Sequence, residues 1–305
     1  MKILAIVPNE KHDFLAASIV EGLKKYDIEL YFTDIGNGAD EDKIITDIEF
    51  YNHAKDCDLV LAFFSKRRDP SPKYYLLENI NIWNKVAYID GSEYNYTAHK
   101  GETDILLHPL FEESARWYFK RECLQEHIDK GIIPLPFASV DSDFSNSSEV
   151  SKDIDVLCAF GHTNTGQRKE AVASCEDLKS EGYNIINQAV SNYSDCLNRS
   201  WITVDAFGGG ECNARAFEVM ANKSLLFMEK HNIVFPYLID GEHYIIWEDS
   251  EDLKNKLRYY LNNKEKISTL IDSSYKNVLK NHTSAKRVEY MFKVIEGSDW
   301  RTALK

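Results

Sequence analysis

Apolar residues recur along this chain in two rhythms. Short continuous apolar runs, of the kind a strand covered on both faces needs, alternate with stretches whose apolar positions return at helical spacing. The first run is Ile3-Leu-Ala-Ile-Val7. A polar turn, Pro8-Asn-Glu-Lys-His-Asp13, leads into a helix with Leu15, Ile19, Leu23 and Tyr26 on one face. A strand at 28–32, a helix at 43–54, a strand at 58–64, a helix at 74–83 and a strand at 85–89 follow. This series predicts a mostly parallel sheet with helices on both faces. Ligands of such sheets collect at the carboxyl ends of the strands. His12 and Asp13 stand there after the first strand, Ser65 to Arg68 after the third and Asp90 to Glu93 after the fourth.

Between Asp141 and Ser151 the composition turns to serine, asparagine and acid, which is linker chemistry. The expected division is 1–145 and 146–283, with a closing segment at 284–305 that returns to the first domain. A second alternation starts with the strand 154–160 and the helix 167–181, then strands near 184–188 and 201–207. Strands at 224–228 and 244–247 and helices at 250–262 and 264–281 complete it. The last segment, 284–296, carries Val288, Met291, Phe292 and Ile295 on one side. The fold class is therefore α/β, with two Rossmann-like βαβ domains.

The most chemical stretch is Phe207-Gly-Gly-Gly-Glu-Cys-Asn-Ala-Arg-Ala-Phe-Glu218. Gly208, Gly209 and Gly210 let the backbone approach a ligand that a Cβ would hold away, and a helix starting near Asn213 turns its unpaired N–H groups and positive dipole end toward that turn. Arg215 and Glu218, three apart, share a face of that helix, so a cation for phosphate and a carboxylate for sugar hydroxyls project together. The same residues also fit an ordinary tight turn with a surface ion pair.

The net charge of −13 disfavours a general nucleic-acid or anionic-membrane surface, although Lys66, Arg67 and Arg68 could line a local basic groove. No apolar run approaches the roughly 20 residues that span a bilayer, and the first run is too short for a signal peptide. The six cysteines include no Cys-x-x-Cys pair and no histidine at metal-ligand spacing, as expected of reduced thiols in a cytoplasmic protein. No metal site is expected. Asp141-Ser-Asp143 matches a metal-binding Asp-x-Asp string but lies in the linker-like stretch.

Arg215-Ala-Phe-Glu-Val-Met-Ala221 resembles the R-x-F-E-x-M-A signature in the C-terminal domain of family-4-like and spore-maturation-type glycosyltransferases of the GT-B fold. Asp240-Gly-Glu-His-Tyr244, Glu248 to Leu253, Tyr259-Tyr-Leu261 and His282 to Arg287 fit in order, so the resemblance covers roughly 153–295. It implies two domains facing a cleft. It also implies a nucleotide-diphosphate sugar as donor, a UDP-sugar foremost, held mainly by the second domain without an obligatory metal or cofactor. Glu218 matches the carboxylate that takes ribose hydroxyls, and Arg215 a position near the diphosphate. Gly161, Arg168 and Lys169 occupy the other phosphate-binding place, and Tyr193 a place for base or sugar contacts; a basic surface patch and a buried tyrosine are the alternatives. Two departures matter. The family leaves seven residues between its two glutamates, but six lie between Glu211 and Glu218, which puts a sugar contact by Glu211 in doubt. The glycine that ends the family helix is replaced, so Asn222 or Lys223 must take the left-handed cap.

For an inverting transfer a base must take the acceptor proton; His12 is the best placed, with Asp90 or Glu93 to orient it. A retaining transfer needs none. The acceptor stays open among glycan, lipid-linked glycan, protein, metabolite and a hydroxylated nucleic-acid base. The competing readings are a non-catalytic nucleotide-sugar binder and a metal-dependent GT-A transferase using Asp141 and Asp143.

Overall fold

The computed structural model describes residues 1–8, 13–64, 73–92, 109–144, 150–161, 166–208 and 210–305. The chain forms two compact units. The first comprises Met1–Ala138, Ile233–Pro236 and Ser284–Lys305, the second Ser139–Asn232 and Tyr237–Thr283.

In the first unit the order is β1 (Lys2–Ile6), α1 (Phe14–Leu23), β2 (Glu29–Phe32), α2 (Asp47–Asp56), β3 (Leu59–Phe63), α3 (Tyr75–Glu78), β4 (Val86–Asp90), α4 (Pro109–Ser114), β5 (Trp117–Lys120), α5 (Gln125–Asp129) and β6 (Ile133–Pro134). The strands lie in the order β2-β1-β3-β4-β5-β6, each pair parallel. Every residue of β3 and β4 is buried, which is why these strands are apolar throughout and not alternating. Three elements differ from the pattern-based expectation for local reasons. α2 starts later than position 43 because Thr46 and Glu49 close a capping box there. β5 and β6 escape the pattern because one ends in two cations, Lys120 and Arg121, and the other is two residues long. Pro134, which cannot donate to a ladder, is tolerated in β6 at the sheet edge.

The last helix, α11 (Ser284–Ile295), belongs to this unit. It packs against α1 at Gly22, where a Cβ would run into the Ser284 carbonyl and lie 2.7 Å from Val288 Cγ2. The fully buried Arg287 donates to Phe137 O at 2.9 Å, and Tyr290 Oη to Pro134 O at 2.8 Å.

The second unit runs β7 (Ile154–Leu157), α6 (Gly166–Ser180), β8 (Ile185–Ile186), α7 (Tyr193–Arg199), β9 (Ser200–Asp205), α8 (Ala214–Ala221), β10 (Leu225–Glu229), β11 (Ile245–Trp247), α9 (Ser250–Leu261) and α10 (Lys264–Asn281). Its parallel sheet has the order β11-β10-β9-β7-β8, so the winding reverses between β7 and β9. A ligand crevice belongs at that reversal, beyond the strands' carboxyl ends. The unit begins at Ser139, not near position 146. Ser139 N donates to His282 O at 2.8 Å and its Oγ to Phe217 O at 3.1 Å, which binds the incoming chain to α8. Asp141–Phe144 then forms a 3-10 turn.

Candidate functional site

α8 is strongly amphipathic. Ala216, Phe217, Val219, Met220 and Ala221 are buried, which leaves Arg215 and Glu218 one turn apart on its open side. The Arg215 guanidinium reaches back over the end of β9. Its Nη1 is 3.5 Å from Oδ1 of the fully buried Asp205, and it lies 4.9 Å above the ring of Phe160 and 5.6 Å from that of Tyr193. Arg168, from the first turn of α6, covers the same Phe160 ring at 5.2 Å and donates from Nε to Ala206 O at 3.1 Å. Two guanidinium groups thus converge on one aromatic ring. Burial, followed by the charge of Arg215, pulls the Arg168 pKa below its ordinary value.

The polar atoms around this pair are not satisfied. Among the described residues, Tyr193 Oη, Asn213 Nδ2, Arg215 Nη1 and both carboxylate oxygens of Asp205 are buried without a hydrogen bond of good geometry. Burial pushes the Asp205 pKa up, and the adjacent Arg215 opposes that rise. Native proteins leave few such groups unpaired, because each costs on the order of 1–3 kcal/mol. A cluster of them with excess cationic charge is what an anionic ligand with polar edges would complete.

Two hollows meet at Tyr193. The smaller, about 180 Å³, is lined by Phe160, Gly161, Ala189, Val190 and Arg215 as well. The larger, about 600 Å³, has Glu218, Asp143, Ser142, Asn192 and Ser194 in its wall. Burial, and next the Asp143 carboxylate, raise the Glu218 pKa to about 7. A carboxylate that is buried at the base of a hollow and titrates near neutrality is a candidate for ligand contact.

The structure therefore brings Gly161, Arg168, Tyr193 and Arg215 together, with Glu218 one helical turn away. Gly208 lies against Arg168, since a Cβ there would stand 2.7 Å from Nη2. Gly210 is buried and Lys169 exposed, while Gly209 lies outside the described residues. Glu211 is placed elsewhere. Its Oε2 accepts from Asn232 N at 2.7 Å and its Oε1 from Asn232 Nδ2 at 3.2 Å. In the first unit Asp13 caps α1 through Ala16 N, and Asp90 is buried among Tyr118, Lys120 and Ser92. His12, Ser65 to Arg68 and Glu93 lie outside the described residues. Among the described residues no group of three or more His, Cys, Asp or Glu is arranged to hold a metal ion.

Sequence reasoning passed over Asp205, Phe160, Asn213 and the role of Asp143. Only Asp205 carried a signal, as a lone carboxylate in an otherwise apolar strand. Lys223, with φ of 53°, takes the left-handed position after α8, one of the two residues expected to do so.

Residues 178–293 match the model of a family described as glycosyl transferase-like. No curated protein matches the chain. Among solved structures, Anabaena HepE in complex with UDP superposes with a TM-score of 0.61 at 11% identity, covering 98% of this chain and 100% of that one. A glycosyltransferase from Rickettsia africae gives 0.60 at 10% identity, covering 100% and 98%. A putative UDP-N-acetylglucosamine 2-epimerase from Listeria monocytogenes gives 0.53 at 10% identity, covering 97% and 96%. At these identities the likeness speaks for the fold, and it does not favour the GT-A alternative. The chain thus has the GT-B fold, and its residues 178–293 match a family described as glycosyl transferase-like.

Proposed function

We propose that the protein transfers a glycosyl group from a nucleoside-diphosphate sugar, UDP first among the nucleotides, to a hydroxyl acceptor without an obligatory metal. The observation that carries this reading is the division of labour along α8, with Arg215 at one hollow, Glu218 at its neighbour and Tyr193 between them. Diphosphate oxygens against Arg215, Arg168 and the N-terminus of α8 would pair the Arg215 and Asn213 nitrogens that now lack acceptors. The same cations would stabilise the departing nucleoside diphosphate, where negative charge grows in the transition state. Ionised Glu218 is a fixed acceptor for a ribose diol. Gly208 to Gly210 give the backbone access to the phosphates, and Lys169 and Gly161 flank them. That UDP and UDP-glucose occupy HepE supports this choice of donor.

For an inverting transfer His12 is the base we propose. Asp90, which accepts from Lys120 at the end of β5, is the orienting partner proposed with it. No described helix is long and apolar enough to cross a membrane, and six buried cysteines, none in a disulfide, support a cytoplasmic setting.

Calorimetric titration with UDP, GDP and ADP tests the donor assignment, and the absence of binding by all three would overturn it. A coupled nucleotide-release assay with UDP-glucose then separates transferase from binder, since tight binding without release at any acceptor favours a non-catalytic role.

A further inference from the structure

The second unit has another cavity that the donor reading leaves unused. It lies at the opposite end of β9, where Ser200 and Trp201 begin the strand that Asp205 ends, roughly 17 Å away at the usual strand rise. Its volume is about 400 Å³, and Lys152, Trp201, Lys223, Ser268, Ile271 and Asp272 line it.

Three observations give this hollow a chemical character. First, Lys152 is a partly buried ammonium whose Nζ donates to Asn198 O at 2.9 Å and to Ser200 O at 2.8 Å. An ammonium has three protons to give, and the third finds no acceptor among the described residues. Burial, then the nearby charge of Lys223, lowers its pKa to about 8. Second, Lys223 holds a backbone conformation, φ of 53°, that glycine or asparagine adopts with far less strain. Its ammonium lies 4.9 Å from the centroid of the Tyr275 ring. Third, among the described residues of the wall Asp272 is the only carboxylate and forms no ion pair, beside the two lysines. Trp201 and Ile271 supply an apolar wall. The volume far exceeds what a bare phosphate or carboxylate fills and falls within the usual range for small-molecule sites.

We propose that this cavity is a second ligand site, separate from the nucleotide pocket, for a small organic oxyanion whose carboxylate or phosphate lies between Lys152 and Lys223 and whose apolar body rests on Trp201 and Ile271. A group at this end of β9 is placed to bias α8, because Lys223 directly follows that helix.

Benzoate and phenyl phosphate are the two probes, titrated calorimetrically into the full-length protein. Lys223→Asn tests the cation while keeping a residue that accepts the left-handed position, and Asp272→Asn removes the opposing charge. At least one probe should bind with one-to-one stoichiometry, and which one binds tells a carboxylate ligand from a phosphate one. Lys223→Asn should weaken that binding about tenfold and Asp272→Asn should tighten it about threefold, as single-charge changes at close range do. UDP binding should be unchanged by Lys223→Asn. Failure of both probes to bind, equal binding to Lys223→Asn, or displacement of the probe by UDP would each overturn the proposal.

Discussion

Each unit ends a central strand in a buried aspartate beside a cation, and the two aspartates live in opposite chemical states. At the end of β4, Asp90 Oδ2 accepts from Tyr118 Oη at 2.6 Å and Lys120 Nζ at 3.0 Å, while Oδ1 accepts from Ser92 N at 2.8 Å. Burial works against its charge, but Lys120 and these donors outweigh burial and hold its pKa below the ordinary value. At the end of β9, Asp205 faces Arg215 in a 3.5 Å ion pair, with Asn213 and Arg168 close by, and burial raises its pKa. The first arrangement is complete in the protein alone. The second is less fully paired among the described residues, as the proposed donor site requires.

The largest expected effect separates the two directly. Lys120→Met strands a carboxylate whose other partners presuppose its charge, so unfolding in urea should show a loss of about 3–5 kcal/mol at pH 7. Arg215→Met should cost less, about 1–2 kcal/mol, because its ion pair with Asp205 is long at 3.5 Å and Arg168 loses a like-charged neighbour. The pH dependences should also oppose one another. The depressed pKa of Asp90 contributes stability that is present above the unfolded value and lost as pH falls through the folded one. The raised pKa of Asp205 contributes stability present at low pH and lost as pH rises through the carboxylate range. Equal losses in the two variants would erase the distinction.

This contrast was only half legible in the sequence. Buried parallel strands announce themselves as apolar runs, and β1, β3, β4, β9 and β10 were readable on that ground. Arg215 and Glu218 were readable because three residues along a helix is a local relation. Asp205 and Asp143 were not, since their meaning depends on elements that meet only after folding. Asp143 is separated by most of the second unit's sheet from the helix it faces, and its serine-rich surroundings suggested a linker. Asp90 and Asp205 look alike as letters after apolar runs; Lys120 and Tyr118 on β5, a strand too short for the pattern to reveal, make the difference.

Glu218 sharpens the comparison within the second unit. With its pKa near 7, the ionised fraction rises about tenfold between pH 6 and pH 8, and if the carboxylate accepts a diol, UDP affinity should rise with it by about the same factor. Glu218→Gln should flatten that profile and hold affinity at or below the pH 6 value. The same variant should gain thermal stability at pH 8, about 1 kcal/mol after allowing for solvent in the hollow, and none at pH 5, because a raised carboxylate pKa penalises the fold only as pH climbs. Asp143→Asn removes the second cause of the shift, so the affinity profile should move to lower pH by about half a unit to one unit. An unmoved profile would show that burial alone sets it.

The smallest effect is expected at Glu211, whose sugar contact the six-residue spacing to Glu218 puts in doubt. Both oxygens of Glu211 accept from Asn232, one from the backbone N–H and one from the side-chain amide, so the carboxylate fastens the turn after β9 to the segment after β10. Glu211→Gln keeps one acceptor and turns an N–H donor toward another donor, a mismatch worth about 1 kcal/mol of stability. UDP and UDP-glucose affinities should stay within about twofold, with their pH dependence intact. The decisive comparison is UDP-glucose against UDP in the same variant. A selective loss for UDP-glucose would mean that Glu211 reaches the sugar in spite of Asn232, and the donor pocket would then extend along the glycine turn and not stop at α8.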